Sequence, residues 1–208
     1  MALVRRLNRE QAVEALMNGE VVVVPTDTVY GVAARLADAA AVERLFAVKR
    51  RPHHVALPVL VNSLEQVAQL GVEWPASAQR LADRFWPGAL TIVVDAPMDL
   101  AAQVGSRASL GLRSPRHDEL ASIIAQCGPL AVTSANEHGR PPCVSAQDVL
   151  DTPWASPVAG VLDAGVCDGV VSSVVQVTPV GWRLRRQGAV SRDDLEALLG
   201  PEAVVDDQ

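Results

Sequence analysis

Short runs of apolar, β-branched residues alternate along this chain with stretches whose apolar residues have helical spacing. Pro25 ends the run Val21–Val24, and a later stretch places Val42 and Leu45 on one side of a helix. Consecutive β-branched residues are typical of a strand that is buried on both faces. The alternation predicts an α/β (α+β) fold in which helices flank a large mixed sheet. No long linker divides residues 1–208, so we expect a single domain.

Caps and breakers predict where the elements begin and end. Asn8 with Gln11, and Ser63 with Gln66, have the spacing of a capping box, which satisfies the first backbone groups of a helix. We expect helices over residues 9–18, from Asp38 to the stop at Pro52, over 75–85 and 116–126, and after Ser63, Ser145 and Ser191. We expect strands over residues 21–24, 57–61, 89–94, 109–113, 130–133, 158–162, 173–178 and 182–185.

Composition and charge limit the class of protein. Of the 208 residues, 49% are hydrophobic, which is enough to bury a core and too many for a disordered chain. The longest apolar runs fall short of the ~20 residues that a membrane-spanning helix needs. The first ten residues, MALVRRLNRE, carry charge where a signal peptide is apolar. We therefore expect a cytoplasmic protein with no membrane segment.

Side chains that often bind metals are scattered through the sequence. The three cysteines, Cys127, Cys143 and Cys167, are odd in number and widely spaced, which predicts reduced, buried or half-buried thiols. The histidines are also dispersed: His53, His54, His117 and His138. We expect no metal centre built from protein side chains.

Lys49 is the only lysine among 18 basic side chains, and all the others are arginines. A bias toward arginine codons explains this composition without any role for Lys49. A compact ammonium with rotatable donors can also bind groups that a planar guanidinium fits less well. Both interpretations stay open at this point.

Three loops that follow or adjoin predicted elements combine short polar side chains with positive charge. They are residues 25–31 (PTDTVYG), 49–52 (KRRP) and 133–136 (TSAN). Loops at strand ends are common ligand sites, hydroxyls and amides donate to anionic oxygens, and Lys and Arg neutralise their charge. The loops together indicate an anionic ligand, although each taken alone is more typical of an ordinary turn or cap.

The order of these motifs along the chain resembles a known family. The sequence contains PTDTVYG, then Lys49-x-Arg51-Pro52, FWPGALT over 85–91, Arg113-Ser114-Pro115, TSAN, SSVV over 172–175 and Arg186-Gln187-Gly188. The set resembles the threonylcarbamoyl-AMP synthase family, whose members share a YrdC-like domain, in its short single-domain form. The resemblance covers residues 10 to 190, approximately.

The resemblance implies an open, twisted mixed sheet with a positively charged concave face. It implies a nucleotidyltransferase that converts L-threonine, bicarbonate and ATP to threonylcarbamoyl-AMP and pyrophosphate, with Mg²⁺ accompanying ATP. The product would pass to a threonylcarbamoyl transferase complex for modification of adenosine in tRNA. Binding of double-stranded RNA, if present, would be weak.

Site residues carry over from the family's motifs one at a time. Lys49 and Arg51 would be the catalytic residues at the ATP phosphates. The nucleotide site would comprise Lys49, Arg51, Ser109, Ser134, Asn136 and Arg186. The threonine site would comprise Thr28, Arg113, Thr133 and Ser172, with Arg113 binding the substrate carboxylate. Leu60 stands where longer members carry a histidine, and Asp27 is either a turn residue or a ligand of metal or substrate.

Two alternatives remain. The first is a non-catalytic RNA-binding module, in which the clusters Arg50–Arg51 and Arg183, Arg185, Arg186 would contact phosphates. The net charge of −6 and the low aromatic content of 3% make this alternative less favourable, because RNA is an anion and its bases stack on aromatic rings. The second is a related enzyme that uses carbamoyl phosphate, a chemistry found in much longer chains. ATP turnover distinguishes the first alternative from a synthase.

Overall fold

The computed structural model describes residues 4–136, 140–154 and 157–202. His138 therefore lies outside the described residues. Helices and strands alternate over much of the described chain, as predicted. The strands are β1 (Arg6–Leu7), β2 (Val22–Val24), β3 (Gly31–Arg35), β4 (Val59–Leu60), β5 (Leu90–Asp95), β6 (Ser109–Arg113), β7 (Leu130–Ser134), β8 (Gly160–Leu162), β9 (Ser173–Thr178) and β10 (Gly181–Arg186). The helices are α1 (Arg9–Met17), α2 (Ala39–Lys49), α3 (Leu64–Gln69), α4 (Ala76–Phe85), α5 (Met98–Gln103), α6 (Asp118–Cys127), α7 (Ala146–Asp151) and α8 (Arg192–Leu199).

The described strands form one sheet in the order β1-β8-β2-β3-β7-β4-β6-β5-β9-β10. Parallel pairs, such as β5 with β9, and antiparallel pairs, such as β3 with β7, occur in the same sheet. The prediction of a mixed sheet flanked by helices is confirmed. Among the described residues, every helix is too short or too polar to cross a bilayer.

Three elements were not predicted, and one cap differs from the prediction. Strand β1 is only two residues long, β3 contains weak strand formers, and α5 follows Pro97 without a side-chain cap. Ser63 does cap α3, since its hydroxyl accepts from the Gln66 amide at 3.3 Å. The Gln66 side chain, however, accepts from the backbone of Asn62, so the second half of the predicted capping box is wrong.

Side chains on the two faces of the sheet enter different hydrophobic clusters. One cluster lies beneath α2, α3, α4, α7 and α8 and takes residues from almost every strand, including Ile92, Leu112 and Val175. The second cluster lies beneath α1 and α6 and takes residues only from β1, β8, β2, β3, β7 and β4. Helices therefore cover one face throughout, while α1 and α6 cover only half of the other face.

The cysteines are as predicted. All three are free, with Cys127 and Cys143 buried and Cys167 half-buried. Burial raises the pKa of each thiol above its ordinary value. Within the described residues, no three His, Cys, Asp or Glu side chains lie close enough to hold a metal ion.

Candidate active site

The half of the sheet that α1 and α6 leave uncovered forms the floor of a cavity of about 500 Å³. Along β6, Leu110 and Leu112 face the helices, whereas Ser109, Gly111 and Arg113 face the cavity. This is the period-two alternation of a strand, in which successive side chains point to opposite faces. On the neighbouring strand β5, Thr91 faces the cavity in the same way. The pattern of the strands thus decides which side chains meet a ligand.

Nine of the ten site residues predicted from the sequence line this cavity. They are Thr28, Arg51, Ser109, Arg113, Thr133, Ser134, Asn136, Ser172 and Arg186. The tenth, Lys49, is not a lining residue, but its ammonium donates to Asn136, which is one. The described lining residues include four arginines and neither an aspartate nor a glutamate.

Arg113 lies at the buried end of the cavity and is only 6% exposed. Its three nitrogens donate to three different groups: Nε to the Gly88 carbonyl at 3.0 Å, Nη1 to Thr28 Oγ1 at 3.0 Å, and Nη2 to Asp27 Oδ1 at 2.5 Å. Burial lowers the pKa of Arg113 and Asp27 raises it again, but a guanidinium stays charged at any ordinary pH. The structure therefore holds a fixed cation here.

The PTDTVYG loop fixes Thr28 against Arg113. Thr26 Oγ1 donates to the Val29 carbonyl at 2.7 Å and accepts from the amides of Thr28 and Val29 at 3.1 and 3.2 Å. The hydroxyls of Thr26 and Thr28 lie 2.9 Å apart, within hydrogen-bond distance. Thr28 Oγ1 is thereby held where it accepts from Arg113 Nη1 at 3.0 Å.

Ser172 is placed by a side chain from each neighbouring strand. Its hydroxyl lies 3.1 Å from Thr91 Oγ1 and accepts from Arg186 Nη2 at 3.1 Å, while its carbonyl accepts from the same Nη2 at 2.8 Å. A Cβ on Gly188 would come within 2.3 Å of the Val171 carbonyl oxygen, so only glycine allows the chain to pass this close. The segment around Gly188 thus packs against the residues just before β9 and holds Ser172 in place.

The other end of the cavity is built at the C-terminus of α2. Arg50 caps the helix in the left-handed region, at a φ of 46°, and this turn carries the chain from Lys49 to Arg51. Arg51 donates to the carbonyls of Val55 and Ala56 at 2.8 and 2.9 Å. Its Nη1 lies 3.4 Å from Thr133 Oγ1. The guanidinium is thereby held between the loop after α2 and the end of β7.

Lys49, Ser134 and Asn136 form one hydrogen-bonded group. Lys49 Nζ donates to Asn136 Oδ1 at 2.9 Å and also to its backbone carbonyl, and Ser134 Oγ donates to the same Oδ1 at 2.8 Å. The Asn136 amide nitrogen donates to the Arg140 carbonyl at 2.6 Å. Burial, and then the nearby Arg51 charge, lower the pKa of Lys49 to about 8. Both donors that converge on Oδ1 are of the kind that binds phosphate oxygens.

Some residues at the site had no predicted role. Thr26 and Thr91 line the cavity. They belong to the motifs PTDTVYG and FWPGALT, so the sequence signal that could have identified them was membership of these motifs. Leu60 also lines the cavity and is paired with Arg113 in the register of β4 and β6. Asp27, left open as a turn residue or a ligand, is the ion-pair partner of Arg113.

Comparison with known proteins assigns the chain to a family. The model of the Sua5/YciO/YrdC family, described as "Telomere recombination", matches residues 14–188. The chain belongs to this family. Among Sua5/YciO/YrdC proteins, one from Mycobacterium tuberculosis (strain H37Rv), provisionally named threonylcarbamoyl-AMP synthase, is 37% identical over 92% of this chain and 89% of its own length.

Longer members of the Sua5/YciO/YrdC family match as well. The threonylcarbamoyl-AMP synthase of Bacillus subtilis (strain 168) is 34% identical over 92% of this chain and 56% of its own length. The structure of Pyrococcus abyssi Sua5 complexed with L-threonine is 32% identical, with a TM-score of 0.84, over 96% of this chain and 60% of that protein. The chain therefore spans about 60% of the length of these longer relatives.

Proposed function

We propose that this chain is an L-threonylcarbamoyladenylate synthase, an enzyme that transfers a nucleotidyl group from ATP to the carbamate of L-threonine. One observation carries the proposal: residues from separate segments of the sequence, predicted to bind two different substrates, meet in a single cavity. The names of the relatives and the threonine complex of the Pyrococcus abyssi protein support the use of both ATP and L-threonine.

The reaction needs no nucleophile from the protein. The amine of L-threonine attacks the carbon of carbon dioxide, which bicarbonate supplies, and loses a proton to give a carbamate. A carbamate oxygen then attacks the α-phosphorus of ATP, the bond from that phosphorus to the bridging oxygen breaks, and pyrophosphate leaves. The enzyme must bring anionic reactants together and stabilise the charge that develops on pyrophosphate.

The buried end of the cavity suits the amino acid. The Arg113 guanidinium would bind the substrate carboxylate, and hydroxyls of Thr28, Thr133 and Ser172 surround the same space. All four residues are at most 6% exposed. Charge-assisted hydrogen bonds are strong where water is excluded, so this end would fix the position of the carbamate.

The end of the cavity next to Lys49 suits ATP. Lys49 and Arg51 would act as the catalytic residues by neutralising the departing pyrophosphate, while Ser134 and Asn136 donate to phosphate oxygens. Arg186 and Ser109 would contact the rest of the nucleotide. Phosphate oxygens would take the Lys49 and Ser134 donors that Asn136 Oδ1 now accepts, so ATP binding requires these two hydrogen bonds to be exchanged.

The donor set also fits the magnesium complex of ATP as the substrate. The polar side chains among the described lining residues are arginines, hydroxyls and the Asn136 amide, with no carboxylate, so the phosphates and water would supply most oxygens around Mg²⁺. We further propose that the concave face is positively charged and that the reactive product passes to a threonylcarbamoyl transferase complex for tRNA modification. Any direct contact with RNA would be weak and sensitive to salt.

Pyrophosphate release from the purified protein tests the proposal. We expect release with ATP, Mg²⁺, bicarbonate and L-threonine, and none when bicarbonate is omitted or L-threonine is replaced by L-valine. Lys49→Ala should lower the rate by about 100-fold, since one preorganised donor to developing charge is worth roughly that factor.

Glu196→Gln is the matched control, because Glu196 belongs to an exposed ion pair with Arg192 on α8. It should leave the rate unchanged. Folded protein that binds ATP but releases no pyrophosphate would contradict the proposal. RNA binding with a steep salt dependence in that protein would favour the non-catalytic module instead.

A further inference from the structure

Asp27 is a carboxylate that lies beside the cavity without being among its lining residues. Its side chain is 15% exposed, and that of its partner Arg113 is 8% exposed. The 2.5 Å between Asp27 Oδ1 and Arg113 Nη2 is that of a short, charge-assisted hydrogen bond. Asp27 is therefore well placed to offset the charge of Arg113, and poorly placed to touch a ligand itself.

The contacts of Arg113 fix its orientation as well as its charge. A guanidinium has five N–H bonds, and the acceptors Gly88 O, Thr28 Oγ1 and Asp27 Oδ1 account for three of them, one on each nitrogen. A planar group held through all three nitrogens cannot rotate without losing a bond. The remaining N–H bonds of Nη1 and Nη2 have a direction set by these partners.

We propose that Asp27 is a positioning residue for the carboxylate subsite: it holds the Arg113 guanidinium in place and limits the positive charge that Arg113 offers to a bound carboxylate. This inference rests on the proposed function, since it assumes that an amino acid binds at Arg113. The two roles separate chemically. Asn at position 27 keeps the acceptor and loses the charge, whereas Ala loses both.

Binding of L-threonine and of L-threoninamide, which lacks the carboxylate, distinguishes these roles. Calorimetric titration would give the dissociation constants of both ligands for wild type, Asp27→Asn and Asp27→Ala. For Asp27→Asn, the ratio of the threoninamide constant to the threonine constant should rise about tenfold, since a negative charge near the subsite is removed. Asp27→Ala should bind threonine more weakly than wild type, and neither variant should change the ATP constant more than about twofold.

Glu196→Gln, which neutralises an exposed carboxylate far from Arg113 in the sequence, should leave every constant unchanged. An unchanged ratio in Asp27→Asn would overturn the inference, and so would an equal loss of both ligands, which would mean that Asp27 binds the amine or hydroxyl. The ratio in Asp27→Asn decides the matter even if Asp27→Ala does not fold.

The experiments distinguish a failure of the proposed function from a failure of the Asp27 inference. If the wild type binds threonine but releases no pyrophosphate, the synthase proposal falls while the Asp27 inference is still decided by the ratio. If the wild type binds neither ligand, no carboxylate subsite exists at Arg113 and both proposals fall.

Discussion

The residues predicted to bind the two substrates touch one another, as Arg186 and Ser172 do, but they differ in how far they are exposed to solvent. The four residues predicted to bind threonine, Thr28, Arg113, Thr133 and Ser172, are all buried. The six predicted to bind the nucleotide are all half-buried or exposed: Lys49, Arg51, Ser109, Ser134, Asn136 and Arg186. A small ligand at the first end would be enclosed by donors that are already fixed, whereas a large ligand at the second would lie in an open groove. Specificity should therefore depend on the buried end, and charge neutralisation on the open one.

The largest expected effect is at the buried end. Arg113→Met removes the buried cation and leaves the half-buried Asp27 carboxylate without its partner, which should lower the free energy of unfolding by about 3 kcal/mol. Threonine binding should be lost at the same time. Urea denaturation and calorimetric titration measure the two effects.

Arg6→Met is the control, since Arg6 pairs with Asp163 and the two side chains are 49% and 37% exposed. It should cost less than about 1 kcal/mol, as exposed pairs usually do. If the two variants lost equal stability, the contrast between the buried and open ends would not hold.

An intermediate effect is expected at the open end, as a dependence of ATP binding on pH. Lys49 has a pKa lowered to about 8, mainly by burial, so its ammonium is lost as pH rises through that value. If ATP needs the charged form, its dissociation constant should rise about tenfold between pH 7 and pH 9, in proportion to the fraction of protein that is competent. Fluorescence titration with an ATP analogue at a series of pH values would measure it.

Lys49→Arg should bind ATP with a nearly flat profile over this range, because arginine keeps its charge. A wild-type profile as flat as that of the variant would show that the Lys49 charge is not used. The unfolding free energy has the opposite trend. Since the folded state binds fewer protons than the unfolded state between about pH 8 and the ordinary lysine pKa of 10.5, stability should rise with pH there.

The smallest effect is expected from Arg50, which separates Lys49 from Arg51. Its φ of 46° lies in the left-handed region, where a Cβ costs about 1 kcal/mol relative to glycine. Arg50→Gly should raise the free energy of unfolding by about that amount and leave pyrophosphate release within twofold of wild type. Lower stability would show that the Arg50 side chain makes a contact worth more than the backbone strain.

Local patterns predicted most of the elements, because caps and strand runs depend on neighbouring residues. Asn8 with Gln11, and Ser145 and Ser191, cap helices where the sequence indicated. The strand Ser109–Arg113 has its predicted bounds. Strand β3 was missed because its glycine and alanines favour no strand by themselves, and its place between β2 and β7 supplies the stability.

Long-range pairing was beyond local patterns. Nine of the ten site residues predicted from the motifs line one cavity. No local pattern, however, indicated that Asp27 pairs with Arg113, 86 residues later in the chain. The sequence left Asp27 open between a turn residue and a ligand, and it did not indicate the ion pair because the partner comes from a strand whose position depends on the whole sheet. Lys49 donates to Asn136, which was predicted to bind the same phosphates, and only the packing of α2 near the end of β7 could define this contact.

The order of strands in the sheet also governs when the cavity can form during synthesis. The floor needs β5 and β6 beside β9, and Ser172 is held by Arg186 and by the close pass of Gly188. At the far edge, β8 is the one partner of β1 among the described strands, so the first strand cannot pair until residues near 160 have been synthesised. Contacts between such distant segments form slowly, because closing long loops costs entropy before pairing stabilises them. A nascent chain that ends before residue 188 therefore lacks the groups that hold Ser172, and its cavity is incomplete.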